Sequence, residues 1–219
     1  MHSSSQPAGY IKIITACLFF VIAGIHSAEA QSFRYGPAIA PAIGFWKVDG
    51  DLYVANGARF GFQAGIMAEQ TIGSAERFAF TTGLNWNTNP GGFETVATGN
   101  QAKAWQFKVH SLDIPLTFRL RSDELGSNVL YAQYGMTLGF TVASKISRDG
   151  GKDGGEGFDY EGFNPSLTMA VGMEHILDND KSLLFGLFFQ NGIKNMVIDN
   201  ANDDNMYPQQ IGLRVGMFL

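Results

Sequence analysis

The sequence predicts an all-β chain folded as an eight-stranded antiparallel up-and-down transmembrane β-barrel. Three observations predict it. Eight long segments carry apolar residues at every second position, their connections alternate between long and short, and their second face mixes glycine, small polar residues and a few charges. A period of two marks a strand with unlike faces. His110–Arg121 poses the question that such a strand leaves open. Leu112, Ile114, Leu116, Phe118 and Leu120 share one face, while Asp113, Pro115, Thr117, Arg119 and Arg121 share the other. In a soluble sandwich the apolar face is buried; in a membrane barrel it meets lipid.

The segments with strand character are Phe33–Val48, Gly57–Ile72, Glu76–Asn87, Trp105–Arg121, Asn128–Ile146, Phe163–Ile176, Ser182–Met196 and Tyr207–Leu219. Most exceed the usual soluble strand of about 5–6 residues and reach the roughly 9–11 that span a bilayer when tilted. The connections Asp49–Asn56, Thr88–Ala104, Ser147–Gly162 and Val197–Met206 are long and polar. Between them, Gly73–Ala75, Ser122–Ser127 and Leu177–Lys181 are short. Short periplasmic turns opposite longer external loops are the pattern of a membrane barrel.

The second faces choose between the two environments. Phe60, Phe62, Ala64, Ile66 and Ala68 oppose Arg59, Gly61, Gln63, Gly65 and Glu69. Leu167, Met169, Val171 and Met173 oppose Ser166, Thr168, Ala170, Gly172 and Glu174. Repeated glycine weakens a water-facing strand. The interior of an eight-stranded barrel is just wide enough for side chains to fill. The glycine-rich face is therefore assigned to the lumen and the bulky face to lipid. Trp46, Trp86 and Trp105, near the long-loop ends, and Tyr35, Phe78, Tyr131 and Phe185, near the short-turn ends, are expected to form two interfacial belts. Pro115 and Pro165 fall inside strands of a sheet without edges, so a bulge or strand end is expected near each.

The N-terminus reads as a signal peptide over residues 1–30, with residues 31–219 as the barrel domain. Ile13–Ile25 is apolar but shorter than the roughly 20 residues of a spanning helix. Ala28-Glu29-Ala30 has the small-x-small form of a cleavage site. Cys17 lies within the leader, so the mature chain holds no cysteine and no disulfide. A formal net charge of −5 argues against a nucleic-acid partner.

"HSLDIPLTFRLR" resembles a strand motif of the PorT-like outer-membrane β-barrel proteins of Bacteroidota. "YAQYGMTLGF", "LTMAVGMEHIL", "LLFGLFFQNGIKNM" and the terminal "IGLRVGMFL" follow in the same order. The resemblance covers essentially the whole mature chain. It implies a small eight-stranded barrel in the cell outer membrane, in a family whose founding member is associated with type IX secretion. Outer-membrane barrels typically finish on an aromatic residue that the barrel assembly machinery reads; here Phe218 is penultimate and Leu219 last.

No catalytic residue is assigned. His110, Ser111 and Asp113 imitate a triad, but adjacent strand residues point to opposite faces, whereas a nucleophile and its base must touch. The acid- and glycine-rich stretch 148–162 and Asp199–Asn205 lack calcium-ligand spacing, and no cofactor or metal motif is found. The charges assigned to a structural luminal network are Arg59, Glu69, Arg77, Asp113, Arg119, Lys145, Glu174, Lys194 and Arg214, with Arg121 at the periplasmic mouth. Glu69 and Arg77 are expected to face each other about Gly73. The expected function is a non-enzymatic structural or interaction role in the envelope, linked to a secretion complex. A small or gated pore for solutes is the alternative, and a soluble periplasmic calyx the third reading. Expected partners are outer-membrane lipid and lipopolysaccharide, the assembly machinery during biogenesis, and envelope or secretion proteins docking through loops 88–104 and 147–162.

Overall fold

A computed structural model describes residues 32–73, 77–95, 104–148, 158–177, 181–199 and 204–219. The expected leader lies outside them. The strands are β1 (Phe33–Asp49), β2 (Tyr53–Ala55), β3 (Arg59–Ile72), β4 (Phe78–Thr95), β5 (Ala104–Arg121), β6 (Asn128–Arg148), β7 (Phe158–Tyr160), β8 (Phe163–Ile176), β9 (Ser182–Gly192), β10 (Val197–Asp199) and β11 (Asn205–Phe218). Around the barrel the order is β1, β3, β4, β5, β6, β8, β9, β11 and back to β1, each pair antiparallel. The result is a closed eight-stranded antiparallel barrel, as the alternating segments predict. β2 extends the top of β4, and β7 pairs with β10. Gly73 and Gly126 hold positive φ in two of the short turns, where a side chain would be strained.

Along the lower barrel, large apolar side chains point outward from every wall strand. Ile39, Phe60, Ile66, Leu84, Phe118, Leu130, Met169, Leu187 and Leu213 are all exposed. The inward face of β1 is Gly36, Ala38, Ala40, Ala42 and Gly44, all buried. These residues leave room for long side chains from the opposite wall. Gly186 leaves room for Tyr131, two strands away, since a Cβ there would overlap the Tyr131 hydroxyl.

Toward the external end the two faces exchange character. On β5 the odd positions point inward throughout, but they change from Asp113, Thr117 and Arg119 below to Trp105, Phe107 and Val109 above, all buried. The even positions change from Leu112, Phe118 and Leu120 to Gln106 and Lys108, which are exposed. The upper wall is thus built like a soluble β-structure. Its apolar core joins Trp46, Tyr53, Phe93, Trp105, Phe107, Val109, Met196, Val197 and Met206. Phe93 stacks on Phe107 with centroids 4.6 Å apart. Strand length explains this crown. The 21 residues of β6 rise about 50 Å at a tilt of about 40°, against an apolar band about 25 Å tall.

The crown corrects the expected belts. Trp46 and Trp105 are buried core residues, and Tyr131 faces the lumen at 5% exposure. Only Trp86 of the three tryptophans faces outward, while Tyr35, Phe78 and Phe185 are exposed as expected. The expected loop from Thr88 is shorter, because β4 continues to Thr95 and pairs with β5 up to Glu94↔Ala104.

The prolines are met mostly by gaps in the ladder. The β4–β5 pairing is interrupted between Thr81↔Thr117 and Asn85↔Asp113, the stretch that holds Pro115. The β1–β11 pairing is interrupted between Ile39↔Val215 and Ala42↔Gly212, around Pro41. Pro165 sits just above the first β8–β9 pair, Ser166↔Gly192. The bulge lies elsewhere, where His110 pairs with Ala143 but Ser111 pairs with Thr141, leaving Val142 as the extra residue on β6.

In vesicles, lipids brominated on the acyl chain should quench the fluorescence of Trp86 and spare Trp46 and Trp105. Trp86→Phe is expected to remove most of the quenchable emission; comparable quenching in that variant would contradict this orientation.

Candidate functional site

The interior polar cluster is positioned by strand alternation. Residues two apart on β5, β3, β8 and β1 point inward together, and near the short-turn end they meet. Glu69 on β3 pairs with Arg34 and Arg119, contacts that are also short hydrogen bonds. Glu174 on β8 pairs with Arg34 at 2.5 Å and Arg121 at 2.8 Å, and accepts a 2.6 Å hydrogen bond from the Ser182 hydroxyl. Both carboxylate side chains are 0% exposed. Arg119 also donates to Gln133, whose amide donates to the Thr117 hydroxyl. The Phe218 ring packs against the guanidiniums of both Arg34 and Arg119, 4.5 and 5.4 Å from their centres.

A second layer, without an ion pair, sits above. The Gln63 amide donates to Gln190 and Gln210, and Gln190 donates to Ser166. Asp113 accepts from Ser111 at 2.6 Å, Asn87 at 2.9 Å and Gln190 at 3.4 Å. A buried carboxylate must be paired or hydrogen-bonded, and three donors from three strands meet that need. His110 turns away from Ser111 to bond Thr88 on the outer face. The apparent triad is therefore divided between two sides of the wall.

Of the charges assigned to the lumen, Glu69, Asp113, Arg119 and Glu174 are buried inside the barrel. Arg214 lies over the Phe188 ring at 5.2 Å, beside a cavity of about 20 Å³. Three others are corrected. Lys145 is exposed, because the extra residue at Val142 inverts the alternation of β6 above it. Arg77 is exposed and pairs with Asp123 on the neighbouring turn at 2.6 Å. It cannot meet Glu69, because the β3–β4 register sets Glu69 opposite Thr81 and centres the turn beyond Gly73. Lys194 lies past the end of β9 and pairs with Glu161 on the external rim at 2.8 Å. Arg59 stands at the top of β3 and donates to the Asn56 carbonyl.

Sequence reading missed Arg34, which bridges both glutamates. The signal was present, since Arg34 continues the inward parity of Gly36 and Ala38. It also missed Asp204, whose carboxylate accepts the Leu52 and Tyr53 amides at 3.1 Å and ties two external segments together. In the crown, burial pushes the Tyr160 phenol above its usual pKa, so it stays protonated.

The lumen is therefore filled at two levels by polar side chains and at a third by the aromatic crown. Cavities of about 20 and 30 Å³ lie beside these layers, room for a water or so each. Below the ion cluster a wider recess of about 710 Å³ opens at the short-turn mouth, lined by Arg34, Arg77, Arg121 and Lys181 among others.

A closed barrel with a lipid-facing apolar band and a packed polar interior defines a small outer-membrane β-barrel protein. The chain belongs to the family described as the outer membrane protein beta-barrel domain, which it matches over residues 29–198. Among solved structures it is similar to Neisserial surface protein A, at 16% identity over 86% of this chain and 98% of that one, with a TM-score of 0.47. OprG from Pseudomonas aeruginosa is 10% identical over 86% and 94%, with a TM-score of 0.43. Ail, the attachment invasion locus protein of Yersinia pestis, is 12% identical over 88% and 100%, with a TM-score of 0.37. No match to the chain is found among curated proteins.

Glu69→Leu leaves the buried Arg119 and the half-buried Arg34 each short of an anion and should lower stability by about 3–5 kcal/mol. The double variant Glu69→Leu/Arg119→Met should lose less than the two single losses combined. Urea unfolding in micelles, read from the gel shift between folded and unfolded barrel, measures both.

Proposed function

We propose that the protein is a non-enzymatic barrel with a structural or interaction role in the envelope. The single observation that carries this reading is the filled lumen. A solute path would have to displace the Arg34–Glu69–Arg119–Glu174 cluster, the glutamine layer and the aromatic crown in succession. Each is held by contacts between strands distant in sequence. A pore earns its cross-section from an empty interior, and eight strands leave little once side chains are placed.

The crown offers the contact surface. Its rigid apolar core supports external segments above the band, and binding residues typically sit on loops held by such a scaffold. The PorT-like resemblance favours a partner in a secretion complex. That partner would dock through the external loops, of which 96–103 and 149–157 lie outside the described residues.

The purified protein should leave planar bilayers free of conductance steps, and Arg214→Ala and Asp113→Ala should do the same. Regular steps in the unmodified protein would favour the pore reading instead. Crosslinking in intact membranes through a photoreactive residue at Lys194 is expected to trap a discrete envelope protein. Trapping lipid alone would count against an interaction role.

A further inference from the structure

We propose that Lys108 and Lys145 form a site on the outer wall for the anionic phosphate headgroup of an outer-leaflet lipid. The inference rests on the outer-membrane placement of the barrel. Lys108 on β5 and Lys145 on β6 are direct partners in the ladder. Both are exposed, with Ile146 turned inward against the crown core. Directly opposed residues hold their Cβ atoms about 5 Å apart, and like charges there repel. The repulsion is relieved by an anion between them.

Two other cations of the external rim have such an anion within the chain. Lys47 pairs with Asp49 at 2.7 Å, and Lys194 with Glu161 at 2.8 Å. Lys108 and Lys145 have no acidic partner among the described residues. The bulge that leaves Val142 unpaired is what brings Lys145 to the outer face. With the alternation of the lower strand continued, its ammonium would enter the apolar core of the crown.

Height identifies the ligand as a lipid. Going up the outer face of β5, the residues are Leu112, His110 and Lys108, each step about 7 Å along the strand. Leu112 is exposed in the apolar band, and the His110 ring lies 5.7 Å from the outward Trp86. Tryptophan marks the interface, and the headgroup layer adds about 5–8 Å to each side of the hydrocarbon. Two ammonium groups on flexible stems just above Trp86 reach the phosphate level. An anion carried on acyl chains would meet the lysines with its chains against Leu112 and Ile114.

Trp86 supplies the test, since the other two tryptophans are buried. The full protein is placed in phosphatidylcholine vesicles containing a minor fraction of acyl-brominated phosphatidylglycerol, and in matched vesicles with acyl-brominated phosphatidylcholine instead. The anionic lipid should be enriched beside Trp86 by about five-fold per lysine, seen as excess quenching. Lys108→Gln/Lys145→Gln should remove the excess while leaving quenching by brominated phosphatidylcholine unchanged. That second reading shows that the variant is folded and inserted. Equal quenching by the two lipids in the unmodified protein, or an excess that survives the double substitution, overturns the proposal. If millimolar inorganic phosphate erases the excess, the site takes free anions and the lipid assignment falls.

Discussion

Two carboxylates without solvent exposure, Glu69 and Glu174, organise the lower half of this barrel. A buried charge is costly unless it is paired and hydrogen-bonded. Each is met by two guanidiniums, and Arg34 serves both. The partners come from β1, β3, β5 and β8, so four strands must be in register before both charges are satisfied. A slip of one residue would turn each inward charge toward lipid. The apolar outer face cannot enforce register so strictly, because one lipid-facing leucine replaces another at little cost.

The inner glycines and alanines follow from the same constraint. Arginine, glutamate and tyrosine from some strands fill space that other strands must vacate. The small face of β1 and the close approach of Tyr131 to Gly186 are the complementary surface. A lumen filled this way gains register and loses conductance. The same packing that favours a non-porous role is what lets a chain without disulfides in its barrel hold an ionic interior.

The fold was legible because closure, strand length and loop alternation leave a periodic trace. The lower half of the interior was legible for the same reason. What the sequence concealed was that the surroundings change along one strand. A period-two pattern names two faces, but it does not say where lipid ends. Trp105 and Phe107 share a face with Asp113 and Arg119, yet the first two stand in the crown core and the last two in the polar lumen. Lys145 escapes the pattern for a different reason. A single bulged residue changes parity without disturbing the apolar pattern below it, and Val142 looks like one more strand residue. Arg77 escapes the pattern because symmetry about Gly73 would set it opposite Glu69, whereas the register sets Glu69 opposite Thr81.

The ends of the chain bring these constraints together. β1 and β11 close the barrel, and the Leu219 amide still bonds the Tyr35 carbonyl at 2.9 Å. Phe218, expected only as part of a terminal assembly signal, turns inward and is fully buried against Arg34 and Arg119. Arg34, meanwhile, reaches Glu174 across 140 residues of sequence. The ion cluster therefore spans the seam that closes last in chain order. Until β11 pairs with β1, Phe218 does not cover the two arginines and the cluster has an open side. Closure then excludes water from the charges at the same time as it completes the ladder. Electrostatic satisfaction and barrel closure become one event, and a half-closed barrel gains neither.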